Sequence, residues 1–325
     1  MQEFKITQKD SGQTLIKYLS RLFKEAPSGL LHKQLRKKNI TLNGKKTEGN
    51  DKLKEGDVIF VFMSDETIEK FKGSETRNTS EYEKAYERFK APVIVYEDEH
   101  VIFLNKPVGV LSQKSNPADL SANEWLIGYL LKTEQTDASK LSFFTPSVCN
   151  RLDRNTGGLL TFAKTLFGAT VLNKCLKDRT LEKYYRTIVH GHITDSERLT
   201  AYISKDVKAN KVSVIKEPAD GCDKIETAFK PLRYNSSLNI TELEVKLITG
   251  KSHQIRAHLA SLGHPVIGDG KYCSSDKNLL FREKYGLKNQ LLYAYKMTFP
   301  ELHDYEAISG RTFTADFDKI FDKFF

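Results

Sequence analysis

A polar stretch over residues 64–90 interrupts this chain of 325 residues and sets the first limit on its fold. The stretch holds 7 acidic and 6 basic residues but few apolar ones, and such a composition cannot bury enough apolar surface to form a core. We predict a linker there, with one short helix near Glu81–Phe89. A chain of this length also predicts two domains, which we place at residues 1–63 and 91–325.

The N-terminal segment has the pattern of a small domain that contains both helices and strands. Apolar residues recur at helical spacing in two places, and Asn43–Gly44 predicts the turn of a hairpin. The predicted elements are helices over residues 11–25 and 30–38 and strands over residues 40–42 and 58–62.

Positive charge is concentrated in the same segment. It contains 13 Lys and Arg against 7 Asp and Glu, so 6 of the 9 net positive charges lie there. In the second predicted helix Leu31 and Leu35 form the apolar side, which leaves Lys33, Arg36 and Lys37 exposed. A basic helix of this kind indicates contact with a polyanion such as nucleic acid. The alternative is an ordinary solvated surface.

The pattern after residue 91 mixes strands and helices in an irregular order. Because the two do not alternate strictly, a doubly wound parallel sheet is disfavoured. We predict an α+β domain with a mixed, mainly antiparallel sheet. The predicted strands are 93–96, 101–105, 159–163, 183–189, 225–232 and 239–247, and the predicted helices are 119–132, 166–178 and 252–262.

Asp153 is the first candidate for chemistry. It lies between Arg151 and Arg154, has no acidic neighbour, and precedes a glycine pair and an apolar run. Adjacent cations favour the ionised carboxylate, which suits nucleophilic or electrostatic work on an electron-poor carbon better than proton donation. The alternative is a surface turn with a structural salt bridge.

The stretch around Asp153 resembles the RluA-type pseudouridine synthase motif His-Arg-Leu-Asp-x-x-Thr-Ser-Gly-Leu. Other segments are similar to further motifs of that family and occur in the family's order. These segments are Leu104–Val110, Glu182–Gly191 and Thr249–Leu259, which Leu262–Asp269 continues. Asn150 and Lys251 depart from the family pattern, in which His and Arg are common at these positions.

The resemblance implies an RNA pseudouridine synthase, an isomerase that needs neither cofactor nor metal, with its active cleft across the middle of the sheet. It assigns Asp153 to the ribose of the target uridine, where the carboxylate either attacks the anomeric carbon or removes the 2′ proton. It places Arg256 against this carboxylate and Tyr185 in the uridine pocket. Arg151 either fills the gap left by the flipped base or touches phosphate.

The N-terminal segment resembles the S-four-like RNA-binding domain that often precedes such a synthase. Relatives of this layout imply ribosomal RNA, especially that of the large subunit, as the substrate, with transfer RNA as the alternative. Two other functions stay open: a non-catalytic RNA-binding or ribosome-assembly factor, and a hydrolase that releases uracil. We expect a monomer.

Composition argues against several other classes. No apolar stretch approaches the ~18 residues of a membrane helix, and the first residues lack the apolar core of a signal peptide. The four cysteines form no Cys-x-x-Cys pair, so we expect reduced thiols in a cytoplasmic protein. His253, His258 and His264 are not spaced for one helical face, and we expect hydrogen bonding there, not metal binding.

Overall fold

The computed structural model describes residues 1–72, 79–88, 92–206, 211–316 and 319–325. Its N-terminal part is a three-stranded antiparallel sheet in the order β1-β3-β2, packed against two helices. The elements are β1 Gln2–Lys5, a 3-10 helix Gln8–Asp10, α1 Leu15–Leu22, α2 Ser28–Arg36, β2 Ile40–Leu42 and β3 Val58–Val61.

The predicted helices and strands of this part are all present, with two differences in detail. Helix α1 begins at Leu15 instead of residue 11, because the preceding chain forms the 3-10 turn and Gly12 has a positive φ of 85°. The Asn43–Gly44 turn forms with φ values of 51° and 74°. This turn does not lead directly into the strand that pairs with β2, because that strand is β3, which begins at Val58. The side-chain oxygen of Asn43 accepts a hydrogen bond from the N–H of Val58 at 2.8 Å.

The polar stretch contains two helices, α3 Asp65–Lys72 and α4 Ser80–Arg88. Helix α4 matches the predicted short helix, whose last residue, Phe89, lies outside the described residues, whereas α3 was not predicted. Ile68 of α3 joins the N-terminal core, and Tyr82 of α4 joins the core of the large sheet. A helix that buries only one narrow face needs few apolar residues. The low apolar content of residues 64–90 therefore led us to predict less helix than the structure contains.

The rest of the chain forms an α+β domain on an eleven-stranded sheet. The main path runs β10-β9-β11-β12-β8-β13-β7-β5-β4, with β14 beside β13 and β6 beside β7. The strands are β4 Val93–Glu97, β5 Val101–Lys106, β6 Ser147–Val148, β7 Gly157–Ala163, β8 Glu182–His190, β9 Glu197–Asp206, β10 Lys211–Ile215, β11 Asp223–Asn235, β12 Ile240–Leu247, β13 Leu292–Thr298 and β14 Thr312–Thr314. The helices are α5 Ala122–Lys132, α6 Ala138–Phe143, α7 Leu166–Lys177, α8 Gln254–Ser261 and α9 Ser275–Tyr285, and a 3-10 helix spans Lys319–Phe324.

The sheet is mixed and mainly antiparallel, as predicted. Among the described strands, β13 and β7 form the single parallel pair, at the centre of the sheet. Both faces of the sheet are covered by apolar clusters. On one face α5 and α8 contribute to the same apolar cluster, and a cleft opens between the start of α8 and the loop that precedes β7. No helix in the described part of the chain combines the length and apolarity needed to cross a bilayer.

Gly158 lies where the parallel strands β7 and β13 pair, opposite Ala294. Its φ is +111°, and a Cβ atom there would be 2.1 Å from the carbonyl oxygen of Ala294. Because the neighbour is backbone, the contact cannot be relieved by a rotamer change. We expect Gly158→Ala to lower the free energy of unfolding by at least about 2 kcal/mol.

Chemical denaturation followed by tryptophan fluorescence checks this expectation. Gly221→Ala is the matched control, because Gly221 also has a positive φ, of +75°, but has open space where the Cβ would lie. It should cost only about 1 kcal/mol. Equal effects of the two substitutions would contradict the close approach at Gly158.

Candidate active site

The cleft over the middle of the sheet has a volume of about 1110 Å³ and is strongly basic. Asp153 is the single carboxylate among the described residues that line it. The lining cations are Lys114, Arg151, Arg154, Arg179, Lys183, Lys251, Arg256 and Lys271. Such a cleft attracts a polyanion and leaves one carboxylate available for chemistry.

The loop that carries Asp153 is fixed by buried polar contacts on both sides. Asn150 accepts hydrogen bonds from the backbone N–H and the hydroxyl of Thr161, at 2.7 and 2.9 Å. The hydroxyl of Ser112 accepts from the N–H of Leu152 and donates to its carbonyl, both at 3.0 Å. These contacts hold the loop at the start of β7 and direct Asp153 into the cleft.

A buried lysine supports the same loop from below. The ammonium of Lys106 donates to three carbonyl oxygens, those of Pro107, Val110 and Arg154, at 3.0, 2.8 and 3.2 Å. Burial lowers the pKa of Lys106 to about 7, and the negative charge of Asp153 opposes this shift. Lys106 therefore ties the end of β5 to the residue that follows Asp153.

Arg256 connects two carboxylates that are distant in sequence. Its Nη1 donates to Oδ2 of Asp153 at 2.8 Å, while Nε and Nη2 donate to the two oxygens of Asp269 at 2.7 and 2.8 Å. Arg256 and Asp269 are buried, and Asp153 is partly exposed to the cleft. A planar guanidinium can bind Asp269 with two prongs and still present a third donor to Asp153.

Arg256 and Asp269 both stay charged despite their burial. Burial disfavours the charged carboxylate of Asp269, but hydrogen bonds from Arg256 and from two backbone N–H groups outweigh it and lower the pKa of Asp269. Burial likewise opposes the charge of Arg256, but the contacts with both carboxylates raise its pKa. The guanidinium that faces Asp153 is therefore permanently charged.

Arg151 and Arg154, the sequence neighbours of Asp153, occupy a different position. Both are exposed and line the cleft, and in the part of the chain that the structure describes neither donates a hydrogen bond to Asp153. They add positive charge to the cleft without contacting the carboxylate. Arg256 makes that contact instead.

Tyr185 lies in β8 and lines the cleft beside Asp153. It is almost completely buried, and burial, followed by the negative charge of Asp153, raises the pKa of its phenol. Tyr184 points to the other side of the strand, where Lys296 lies 4.2 Å from its ring centroid. The strand geometry thus assigns Tyr185 alone to the cleft.

The three histidines of the predicted helix region have separate hydrogen-bond partners. His253 contacts the hydroxyl of Tyr272 at 3.0 Å, His258 that of Thr227 at 3.1 Å, and His264 the carbonyl of His190 at 2.8 Å. Within the residues that the structure describes, no group of three His, Cys, Asp or Glu is arranged to hold a metal.

Cys149 also lines the cleft, where its thiol is half-buried. Burial raises its pKa to about 12, so the thiolate that nucleophilic attack requires is scarce at neutral pH. This leaves Asp153 as the group in the cleft that is suited to attack.

The basic helix α2 has the orientation that its sequence predicted. Leu31 and Leu35 are buried in the N-terminal core, and Lys33, Arg36 and Lys37 are exposed. None of these cations lines the cleft, so the helix forms a separate basic surface.

Sequence reasoning missed several residues that build the site. Asp269 and Lys106 lie inside segments that resemble the family, but the sequence analysis assigned them no role. Their presence as a carboxylate and a lysine within such segments was the signal that could have identified them. Ser112 and Tyr272 carried no sequence signal, because their partners are brought to them only by the fold.

Comparison with known proteins agrees with this geometry. Residues 100–261 match the family model described as RNA pseudouridylate synthase. An uncharacterized RNA pseudouridine synthase of Mycoplasma genitalium is 33% identical over 83% of this chain and 80% of its own length. The ribosomal large subunit pseudouridine synthase C of Rickettsia bellii is 29% identical over 79% of this chain and 82% of its own. The Vibrio vulnificus protein of the same name is 28% identical over 89% and 85%.

Two solved structures share the fold. Human RNA pseudouridylate synthase domain containing 4 aligns with a TM-score of 0.55 at 19% identity, over 74% of this chain and 92% of its own. Human RNA pseudouridylate synthase domain containing 1 aligns with a TM-score of 0.50 at 22% identity, over 72% and 95%. The chain belongs to the RluA-type RNA pseudouridine synthases, isomerases that act on uridine in RNA.

Proposed function

We propose that this enzyme isomerises specific uridines in structured ribosomal RNA of the large subunit. The contact between Asp153 and Arg256 inside a basic cleft is the observation that carries the chemical part of the proposal. The choice of RNA is supported by the Rickettsia and Vibrio relatives, whose names specify the large ribosomal subunit, at 29% and 28% identity. Transfer RNA is the alternative substrate within the same chemistry.

In this proposal Asp153 acts at the ribose. Arg256 holds its Oδ2. Oδ1 accepts no hydrogen bond from the described part of the chain, so this oxygen is available to substrate. In one route it attacks the anomeric carbon, and the ester bond so formed breaks again when C1′ bonds to C5. In the other it accepts the 2′ proton, which returns to C2′ at that later step. In both, the C1′–N1 bond breaks and its electron pair goes to the uracil. The ring turns, C1′ bonds to C5, the C5 proton leaves and N1 takes up a proton, so the overall change is an isomerisation.

Tyr185 and Arg151 handle the flipped nucleotide in this proposal. Extruding a stacked uridine costs a few kcal/mol, and stacking on an aromatic ring returns roughly 1–3 kcal/mol per base. Tyr185 supplies that ring from the floor of the cleft. Arg151 lies exposed at the cleft, where its guanidinium can either replace the extruded base or contact phosphate.

The N-terminal residues 1–63 complete the proposal as an S-four-like RNA-binding domain, joined through residues 64–90 to the catalytic domain at 91–325. The exposed cations of α2 are its proposed phosphate contacts. They lie outside the cleft, so they would hold RNA around the target and leave the flipped uridine to the catalytic domain.

Replacing Lys33, Arg36 and Lys37 together with Gln should weaken RNA binding and flatten its salt dependence. Each lost phosphate contact removes a released counterion, so the slope of log K against log salt should shrink by about 2. Titrations at several salt concentrations measure this slope. Lys132, Lys230 and Lys323, exposed lysines outside the cleft, changed together to Gln are the control. An equal change in both variants would contradict a specific role for α2.

The decisive test of the proposal is modification mapping of total RNA from cells with and without this gene. We expect pseudouridine to disappear from specific large-subunit positions on deletion, to return with the wild-type gene, and to stay absent with Asp153→Ala. Loss of pseudouridine from transfer RNA alone would overturn the ribosomal assignment and keep the chemistry. Full restoration by Asp153→Ala would overturn the role of Asp153.

A further inference from the structure

His253 lies in the cleft in a backbone conformation that its position in the helix does not explain. It precedes α8 with φ of 54° and ψ of 15°, the left-handed region, and its side chain makes no capping hydrogen bond. For a residue other than glycine this conformation costs about 1–2 kcal/mol. Its effect is to turn the imidazole toward Asp153, with Nε2 at 4.0 Å from Oδ2.

The position of the imidazole proton follows from its two neighbours. The carboxylate of Asp153 faces Nε2 and favours the tautomer that carries its proton there. Nδ1 then offers a lone pair to the hydroxyl of Tyr272, 3.0 Å away. Tyr272 is itself held by the N–H of Val212, which donates to its oxygen at 3.0 Å. The ring is thus held from behind while its N–H faces the reacting end of the cleft.

Burial and two nearby cations keep the imidazole of His253 neutral. Burial, aided by the positive charges of Arg256 and Lys271, lowers its pKa, and the opposing charges of Asp153 and Asp269 do not outweigh them. A neutral N–H does not form an ion pair with Asp153, so it leaves the carboxylate available for the ribose. It is still able to donate to an oxygen of the substrate.

We propose that His253 is a further catalytic residue, which donates a hydrogen bond from Nε2–H to the uracil of the flipped uridine while its bond to the ribose is broken. This proposal rests on the proposed action of Asp153 at the ribose. The C2 oxygen of uracil is three bonds from C1′, so a uridine whose C1′ lies beside the Asp153 carboxylate can place this oxygen within reach of Nε2, itself 4.0 Å from that carboxylate.

The hydrogen bond from His253 lowers the barrier because it is stronger in the transition state than in the ground state. When the C1′–N1 bond breaks, the electron pair spreads over the ring onto its carbonyl oxygens, and a fixed donor stabilises this charge more strongly than it stabilises the neutral base. His253 itself transfers no proton. Removing one preorganised donor of this kind lowers the rate by about 10²–10³-fold.

Single-turnover rates at saturating RNA, with the Kd for RNA measured in parallel, test the proposal. His253→Asn tolerates the left-handed backbone but is too short to reach the substrate. We expect its rate to fall by about 10²–10³-fold with an almost unchanged Kd. His253→Gln, whose amide reaches the place of Nε2, should recover at least about tenfold of that loss. Tyr272→Phe, which frees the ring, should lose activity to an intermediate extent.

His258→Asn is the matched control. His258 lies on α8, the helix that His253 precedes, is buried, and hydrogen-bonds Thr227 outside the cleft. The rate of His258→Asn at saturating RNA should therefore stay near that of the wild type. A near-normal rate for His253→Asn would overturn the proposal, as would failure of His253→Gln to recover. Asp153→Asn distinguishes the two proposals. If it stays active, the proposed action of Asp153 at the ribose fails; if it is inactive while His253→Asn is active, the His253 inference alone fails.

Discussion

Asp153→Asn is expected to lower the rate of pseudouridine formation by at least about 10⁴-fold, the scale of loss when a reacting group is removed. The amide preserves the shape of the side chain, and its oxygen can still accept from Nη1 of Arg256. It supplies neither a nucleophilic oxygen nor a proton acceptor. RNA binding should persist, because the cations of the cleft remain and one negative charge near phosphate is lost.

Tritium release from C5-labelled uridine in RNA, under single-turnover conditions, measures this rate, since the C5 proton leaves in the reaction. Asp304→Asn is the control, because Asp304 is exposed and does not line the cleft; it should react at the wild-type rate. If Asp153→Asn retained a rate within about tenfold of the wild type, another group would have to act at the ribose.

Several strands near the middle of the sheet follow from sequence patterns because they are buried on both faces, although β13, which is also central, was not predicted. Strand β7 is buried over its whole length, and its apolar run from Leu159 was predicted as a strand. Strands β9 and β10 were missed. They lie at the edge of the sheet, where burial on one side leaves many polar residues and weakens the apolar signal.

The polar stretch shows a different limit. Averaged over residues 64–90, composition indicated a linker, yet α3 and α4 each dock one narrow apolar face on a neighbouring core. Composition sums over all faces of a helix, whereas docking depends on one face alone. A short helix with one or two buried residues is therefore hidden by the average.

The site, too, could be predicted only in part from the sequence. The loop around Asp153 could be identified from its own residues and from the family motif. Its electrostatic partner is not a sequence neighbour, because Arg151 and Arg154 are exposed and Arg256, 103 residues away, makes the contact. Only the family resemblance pointed to Arg256. The second carboxylate on Arg256, Asp269, emerges only when the fold places it there.

Arg256→Gln should lower the free energy of unfolding by about 3–5 kcal/mol, the effect of breaking one side of a buried ion pair. It also removes the donor to Asp153, so activity should fall as well. Arg256→Lys keeps the charge, but an ammonium cannot bind Asp269 with two prongs and still reach Asp153. We expect it to recover part of the stability and little of the activity. Arg198→Gln is the control, since the side chain of Arg198 is 68% exposed in its pair with Glu226 and should contribute at most about 1 kcal/mol.

We expect the pH dependence of stability to identify the Asp269 carboxylate as the cause of the stability loss in Arg256→Gln. In the wild type Arg256 lowers the pKa of Asp269, so the stabilisation is present above the unfolded pKa of the carboxyl and is lost as pH falls through the folded value. In Arg256→Gln the same carboxyl is buried without its cation, and burial raises its pKa above the unfolded value. The pH dependence of this carboxyl's contribution to stability then has the opposite sign. Acidification protonates Asp269 and removes a buried charge, so the difference in unfolding free energy between wild type and variant becomes smaller. Denaturation curves at neutral and mildly acidic pH measure this difference, and a difference that stayed constant or widened toward acid would show that Asp269 is not the group left uncompensated.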